Sequence, residues 1–286
     1  MPTTIRALRD RAVAELAAAG VPDPEVDAEL LIGHVVGLGR GEVQARIAMD
    51  AEVSEDERAA LQALVARRAA REPLQHLTGR APFRNLELAV GPGVFVPRPE
   101  TEQVAQFAID ALLATAEPEP VAVDLGTGSG AIAIALATEV PHARVFAIEL
   151  SPEAHAWAER NVAASGAQNL ELVLGDLADA FPELDGRAAV VISNPPYVPT
   201  DAVPRDPEVR LFDPATALYG GEDGLDVVRT VSRTALRLLH PGGTLVIEHG
   251  ELQGEAIGSL LAADGWRAAA THPDLLGRPR ATTALR

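Results

Sequence analysis

The spacing of hydrophobic positions along this 286-residue chain changes twice. Over residues 1–72 apolar residues recur at helical spacing. Thr3 or Thr4 can cap a first helix that ends at Gly20. Asp23-Pro24 opens a second, with Val26, Leu30 and His34 or Leu31 assigned to its apolar face. A short third segment covers 42–49. Ser54-x-x-Glu57 is a capping box for a fourth, with Leu61, Leu64 and Val65 as its stripe. Short connections between these helices predict a small bundle. Over 73–97 glycine and proline punctuate the apolar pieces LTGRAPF, LELAV and GVFVP. That pattern predicts a β-hairpin joining two parts of the chain.

From about residue 100 two periods alternate. Continuous apolar runs at 121–125, 144–150, 170–174, 188–193 and 244–250 read as strands, with a last β region over 266–286. Between them 100–115, 131–138, 152–165, 225–239 and 252–263 read as helices. This alternation defines an α/β fold, a parallel sheet with helices on both faces. Ligands of such sheets bind beyond the carboxyl ends of the strands. The expected organisation is a helical domain over 1–72, a hairpin linker over 73–97 and a catalytic α/β domain over 98–286.

Composition narrows the chemistry. Hydrophobic residues make up 47% of the chain, enough for a sizeable core, and there is no cysteine. Disulfides, thiolate zinc sites and cysteine nucleophiles are therefore excluded. No run of eighteen apolar residues marks a membrane span. The charges within the first twenty residues fit an amphipathic helix rather than a signal peptide. A cytoplasmic location follows as the simplest expectation. The net charge is −17. Residues 1–90 carry 14 acidic and 11 basic side chains, a net of −3, and the remainder carries 27 and 13, a net of −14. An acidic catalytic part argues against close approach to a nucleic-acid backbone.

DLGTGSG at 124–130 lies where a strand turns into a helix. Gly126, Gly128 and Gly130 allow positive φ and close approach of a ligand to the backbone, with Thr127 and Ser129 between them. Glu149 ends the next strand, and a carboxylate there can accept both hydroxyls of a ribose. NAD and S-adenosylmethionine both contain adenosine and fit equally well. Asp176, after the third strand, can reach an adenine amino group, with the backbone of Leu177 beside it.

Asn194-Pro195-Pro196-Tyr197 closes the fourth strand. Proline cannot extend a central strand, and each Xaa-Pro step holds its predecessor extended. The loop is therefore stiff. Asn194 offers an acceptor oxygen, the Pro195 carbonyl a second acceptor and Tyr197 a flat apolar face. Together they suit a planar NH₂ group. His76 and His249 are read as structural, and no metal constellation is apparent.

The tetrad and the glycine loop together resemble S-adenosylmethionine-dependent methyltransferases acting on planar amino or amide nitrogens. EPLQHLTG (72–79), VPRPETE (96–102), SNPPYVP (193–199), DPATALYGGEDGLD (213–226), VIEHG (246–250) and DLLGRPR (274–280) are similar, in order, to the bacterial release-factor glutamine methyltransferase family, HemK or PrmC. Glu149, where many relatives carry aspartate, keeps the carboxylate. The resemblance implies a Rossmann-like class I methyltransferase sheet preceded by a helical domain and hairpin. It also implies S-adenosylmethionine as cofactor, leaving as S-adenosylhomocysteine. The implied reaction is N5-methylation of the glutamine in the Gly-Gly-Gln motif of class 1 peptide chain release factors. By the same resemblance Gly126, Thr127, Gly128, Ser129, Gly130, Glu149, Asp176, Leu177 and Asn194 hold the cofactor, and Asn194, Pro195, Pro196 and Tyr197 hold the glutamine. Phe95, Arg98, Glu100 and Thr101 lie either near the pocket or at an ordinary helix start. The helical domain is expected to dock the release factor, with no direct nucleic-acid or membrane contact and a monomeric chain. Three alternatives stay open: a DNA amino-methyltransferase using the same tetrad, an NAD-dependent oxidoreductase, and an adenosine-nucleotide sensor without activity.

Overall fold

The computed structural model describes residues 4–286, so Thr3 lies outside the described residues. The chain forms two compact units. One contains residues up to Arg80 together with Arg205–Phe212, and the other contains Ala81–Pro204 and Asp213–Arg286.

The first unit is helical: α1 Ile5–Ala18, α2 Pro24–Val36, α3 Arg40–Ala48, α4 Glu55–Ala69 and α5 Leu74–Thr78. Thr4 caps α1 by accepting from the Ala7 amide, and Ser54 and Glu57 form the capping box of α4. Leu61 and Val65 are buried as expected, with Leu64 packed against them. The α2 face differs from the expected one. Asp27, Ala28, Glu29, Leu31 and Ile32 are buried, whereas Val26 and Leu30 are only half-buried and His34 is exposed. Two carboxylates occupy core positions because each meets arginine. Asp27 pairs with Arg68 at 2.7 Å. Burial opposes ionisation of Glu29, but hydrogen bonds from Arg40, Gln44 and Arg9 outweigh it and hold its pKa below the usual range. A hydrophobic period cannot register such buried, paired charges.

β1 (Arg80–Phe83), which starts at the last residue of the first unit, and β2 (Leu86–Ala89) of the second form the hairpin. The GVFVP segment takes no regular structure. Val94 and Val96 instead bury their side chains with Ala154 and Trp157. The order continues with α6 Pro99–Ala114, β3 Val121–Leu125, α7 Ala131–Glu139, β4 Arg144–Glu149, α8 Pro152–Ser165, β5 Leu170–Leu174 and β6 Ala188–Ser193. Next comes α9, Pro207–Phe212, which belongs to the helical unit. The chain closes with α10 Ala215–Leu218, α11 Asp226–Leu238, β7 Leu239–Glu248, α12 Gly254–Ala263, β8 Arg267–Pro273 and β9 Pro279–Leu285. β7 starts five residues before the expected strand. His240–Gly243 bulge out between the pairs Ala188–Leu239 and Val190–Thr244, so Pro-Gly-Gly sits inside the strand.

The sheet has strand order β5-β4-β3-β6-β7-β9-β8. β3 to β7 are parallel, and β9 is antiparallel to both neighbours. Consecutive residues of the central strands feed opposite layers. Ala122, Val190, Ile192 and Val246 pack with α6 and α7, whereas Val123, Leu125, Val191, Leu245 and Ile247 pack with α11 and α12. Covering both faces explains why these strands are continuous apolar runs. The chain winds outward from β3 through β4 to β5, then returns to β6 on the other side of β3. The crevice at that reversal is where such sheets take ligands.

Candidate active site

Four parallel strands deliver polar groups to the same carboxyl edge: β3 the glycine loop, β4 Glu149, β6 Asn194 and β7 Glu248. Gly126 and Gly128 have φ of +77° and +58°, and a Cβ on either would meet nothing within 4 Å. The loop therefore presents bare backbone to open space. Gly130 has a different reason to be glycine. Its φ is +85°, and a Cβ there would press on Ile134 at 3.2 Å and Ala158 at 3.6 Å. Its missing side chain lets α7 pack against α8. The side chains of Thr127 and Ser129 are buried. Thr127 Oγ1 donates to Asp124 Oδ2 at 2.6 Å, and the Ser129 carbonyl accepts from Asn161.

Glu149 accepts from the Gly128 amide through Oε2 and from the Ser151 amide through Oε1, both at 2.8 Å. Each carboxylate oxygen keeps a second acceptor site, so the half-buried group can still take two hydroxyls. Asp176, on the neighbouring strand end, accepts from the Ala178 amide at 2.9 Å and stays exposed. Leu177 packs its side chain toward the core, which leaves its backbone at the edge. A glycine edge open to a ligand, with two carboxylates on adjacent strands, fits an adenosine-bearing cofactor.

The tetrad is anchored from below by Ser193, whose Oγ donates to the Leu125 carbonyl at 2.6 Å and ties β6 to β3. Asn194 Nδ2 points to Thr101 Oγ1 at 3.4 Å. Among the described residues the Pro195 carbonyl accepts no backbone hydrogen bond. Tyr197 is held by its carbonyl, which accepts from Gln253 Nε2 at 2.9 Å. Burial pushes its phenol up to about 12, with the Glu248 carboxyl adding to the effect against Arg280 and Arg98, so it remains a neutral ring.

Segments distant in sequence converge here. Val198 pairs with Tyr219, and its amide donates to the Leu218 carbonyl at 2.8 Å. Cβ atoms on Gly220 and Gly224 would collide with the Pro196 and Tyr197 carbonyls. Arg98 lies over the Phe95 ring, 4.8 Å from its centroid, and pairs with Asp213 at 2.7 Å. Glu100 pairs with Arg278 at 3.0 Å. Arg98 and Glu100 thus tie the start of α6 to Asp213 and Arg278, and Thr101 reaches the tetrad itself. His249 is fully buried between the Gly250 carbonyl and Thr282 Oγ1, each at 2.9 Å. Burial lowers its pKa, consistent with a structural neutral ring.

Sequence reasoning missed Ser193, Gly220, Gly224, Gln253 and Glu248. Glu248 had a usable signal: like Glu149 it is an acid ending a parallel strand. Its carboxyl is buried, and Oε2 has no hydrogen-bond partner among the described residues.

The reversed sheet, its antiparallel penultimate strand in spatial order and the glycine loop define an S-adenosylmethionine-dependent methyltransferase. Residues 85–221 match the family model of the methyltransferase small domain, and residues 7–79 match that of the PrmC N-terminal domain. The fold is shared with the crystal structure of ribosomal protein L11 methylase from Lactobacillus delbrueckii subsp. bulgaricus. That similarity has a TM-score of 0.50 at 22% identity, over 69% of this chain and 83% of that one. A release factor glutamine methyltransferase of Streptomyces coelicolor is 52% identical over 96% of this chain and 95% of its own. One from Bifidobacterium longum is 43% identical over 95% and 96%. The 4-amino-L-phenylalanine/4-methylamino-L-phenylalanine methyltransferase of Streptomyces pristinaespiralis is 40% identical over 95% and 92%. The chain belongs to the release factor glutamine methyltransferase family.

Proposed function

We propose that this enzyme transfers the methyl group of S-adenosylmethionine to the side-chain amide nitrogen of the glutamine in the Gly-Gly-Gln motif of class 1 peptide chain release factors. The observation that carries this reading is the tetrad. Asn194 has its Nδ2 engaged by Thr101, which leaves Oδ1 as an acceptor beside the unengaged Pro195 carbonyl. Two acceptors at fixed angles match the two hydrogens of one planar NH₂ group.

An amide nitrogen is a poor nucleophile because its lone pair is delocalised into the carbonyl. Two N–H···O contacts orient it and favour the pyramidal geometry of attack. They accelerate transfer to the extent that they tighten in the transition state. The proline steps keep both acceptors in place, so little reorganisation is needed. The cofactor supplies an electrophilic methyl group on a sulfonium. The glycine loop, Glu149, Asp176, the Leu177 backbone and Asn194 are assigned to holding it. After transfer the nitrogen is strongly acidic and loses its proton to water, so no general base is required.

The helical unit is assigned to release-factor docking, in a monomeric cytoplasmic enzyme without nucleic-acid contact. The DNA amino-methyltransferase reading is disfavoured by the net −14 of residues 91–286. The relative named for 4-amino-L-phenylalanine also has a planar NH₂ as its target, so the two substrates need separating by experiment. The enzyme is incubated with labelled cofactor and either a release factor or 4-amino-L-phenylalanine. Mass spectrometry should place a single methyl on the Gly-Gly-Gln glutamine. Transfer to the amino acid alone would refute the proposal. Asn194→Ala should lower turnover by at least about 100-fold while cofactor affinity stays within about tenfold, because one of several cofactor contacts is lost.

A further inference from the structure

Asn194 presents a problem of direction. Its Oδ1 and Nδ2 are nearly equal in size and shape, and only one orientation works. With Oδ1 toward the substrate it accepts an N–H. Turned over, it sets donors against donors. The tetrad backbone is stiff but does not select between the two, since both orientations share one rotamer apart from a half-turn about the last torsion.

The groups behind Asn194 supply the selection. Nδ2 donates to Thr101 Oγ1 at 3.4 Å. The Thr101 hydroxyl and the Asn194 amide both lie against the Glu248 carboxyl and favour its charged form. An ionised carboxylate only accepts hydrogen bonds. The two donors beside it, the Thr101 hydroxyl and Asn194 Nδ2, therefore turn toward Glu248, and Oδ1 is the Asn194 atom left facing away. We infer that Glu248 is a positioning residue, whose negative charge, acting directly and through Thr101, fixes the Asn194 amide with Oδ1 facing the substrate nitrogen. This rests on the reading of Asn194 as an acceptor for the substrate NH₂.

The position explains a costly feature. Glu248 is 2% exposed, and one of its oxygens has no hydrogen-bond partner among the described residues. A carboxylate so placed adds little to folding, yet glutamine could not replace it as an acceptor that works in one sense only, because an amide can turn over and present its NH₂ instead of its oxygen. Several charged groups face it. Arg280 on β9 favours the ionised form, Glu100 on α6 opposes it, and Tyr197 and His249 are neutral. Desolvation dominates, and the carboxyl is pushed up to about 7. Below that pH the protonated acid can donate to Thr101. The chain of hydrogen bonds can then reverse and release the amide.

The test compares wild type with Glu248→Gln, Thr101→Val and Thr101→Ser in single-turnover methyl transfer between pH 6 and 9. Wild type should lose rate toward acid with an apparent pKa near 7. Glu248→Gln should be slower by about 10- to 100-fold at pH 8, less than the full loss of a transition-state hydrogen bond, and its acid limb should vanish. Thr101→Val should lose part of the rate and keep a weakened acid limb, and Thr101→Ser should recover both. Cofactor affinity, measured by calorimetry, should stay within about threefold throughout. A Glu248→Gln enzyme with wild-type rate, or one retaining the acid limb, would overturn the inference. Should that variant misfold, the ¹⁵N titration of wild type decides.

A second readout does not depend on the substrate assignment. In ¹⁵N spectra of the enzyme without substrate, the Asn194 side-chain amide should shift on titration with a midpoint near 7. That shift should be lost in Glu248→Gln and reduced in Thr101→Val. An invariant signal in wild type would refute the inference even if methyl transfer to the release factor had been established. Absence of transfer by wild type would instead count against the proposed function.

Discussion

Asp124 is the most deeply buried acid of the glycine loop. It has no exposed surface, and its Oδ1 has no partner among the described residues. Desolvation raises its pKa from 3.8 to about 7, against hydrogen bonds from Thr127 and the Ala133 amide, with Glu149 adding repulsion. The sign follows from linkage. Between the unfolded value near 4 and the folded value near 7, the native state holds more protons than the unfolded chain. Stability is therefore fully present below about pH 4 and falls as pH rises through 7. About three units at ~1.4 kcal/mol each set a ceiling of about 4 kcal/mol. Asp124→Asn removes the charge but weakens the Thr127 contact, so about half of that should be recovered at pH 8. Calorimetric melting of the α/β unit at pH 5 and 8 measures it: the variant should gain on wild type as pH rises. An equal shift at both values would show that the buried charge is not the cause. At this scale the sequence revealed Asn194 and Glu149 because each breaks a local rule, an amide or an acid at the end of an apolar run, and Tyr197 because it follows two prolines as one of only two tyrosines. Glu248 broke the same rule, but its meaning lies in Thr101, 147 positions earlier.

At the scale of elements, strands 121–125, 170–174 and 188–193 were legible to the residue: β3 and β6 are buried throughout and have sharp ends, and the edge strand β5 is bounded by the turn before Leu170 and by Gly175. The α2 face was not, because Asp27 and Glu29 take core positions with arginine partners. α5, α9 and α10 are too short for a hydrophobic period to show. The DPATALYGGEDGLD stretch was legible only as a resemblance, and the structure supplies its physical reason. Gly220 and Gly224 let one loop lie against the carbonyls of Pro196 and Tyr197. Gly220→Ala would force its Cβ into the Pro196 carbonyl, with backbone rather than a flexible side chain in the way. The tetrad should move by a substantial fraction of an ångström. We expect turnover to fall by about 100-fold, with cofactor affinity changed by less than about threefold, since the glycine loop and Glu149 are untouched. Calorimetric binding and single-turnover rates separate the two. An equal loss in both would mean that the loop supports the cofactor side as well.

At the scale of the whole molecule, the helical unit is not a continuous piece of chain. Its family model spans 7–79, yet the unit is completed by Arg205–Phe212, contributed from between the tetrad and its glycine brace. Glu208 is the reason that segment belongs there. It is 8% exposed and takes Arg68 at 2.7 Å and Arg71 at 2.6 Å, while Arg68 also holds Asp27. Desolvation opposes ionisation of Glu208, but hydrogen bonds from Arg71 and Arg68 outweigh it and hold its pKa well below the usual carboxylate range. A depressed folded pKa means stability that is present above about pH 4.3 and is lost as pH falls toward the folded value. Removing the carboxylate takes their shared partner from Arg68, which keeps Asp27, and from the half-buried Arg71, so the loss should stay below the roughly 3–5 kcal/mol of a fully broken buried pair. Glu208→Ala should therefore raise amide hydrogen exchange across α2 and α4 at pH 7, leaving β3 to β7 protected as in wild type. Acidification of wild type to pH 3 should reproduce the same local pattern before the sheet opens. Unchanged protection in α2 and α4 would show that the helical unit holds without its late-arriving segment, and residues 1–80 could then be treated as a self-sufficient domain.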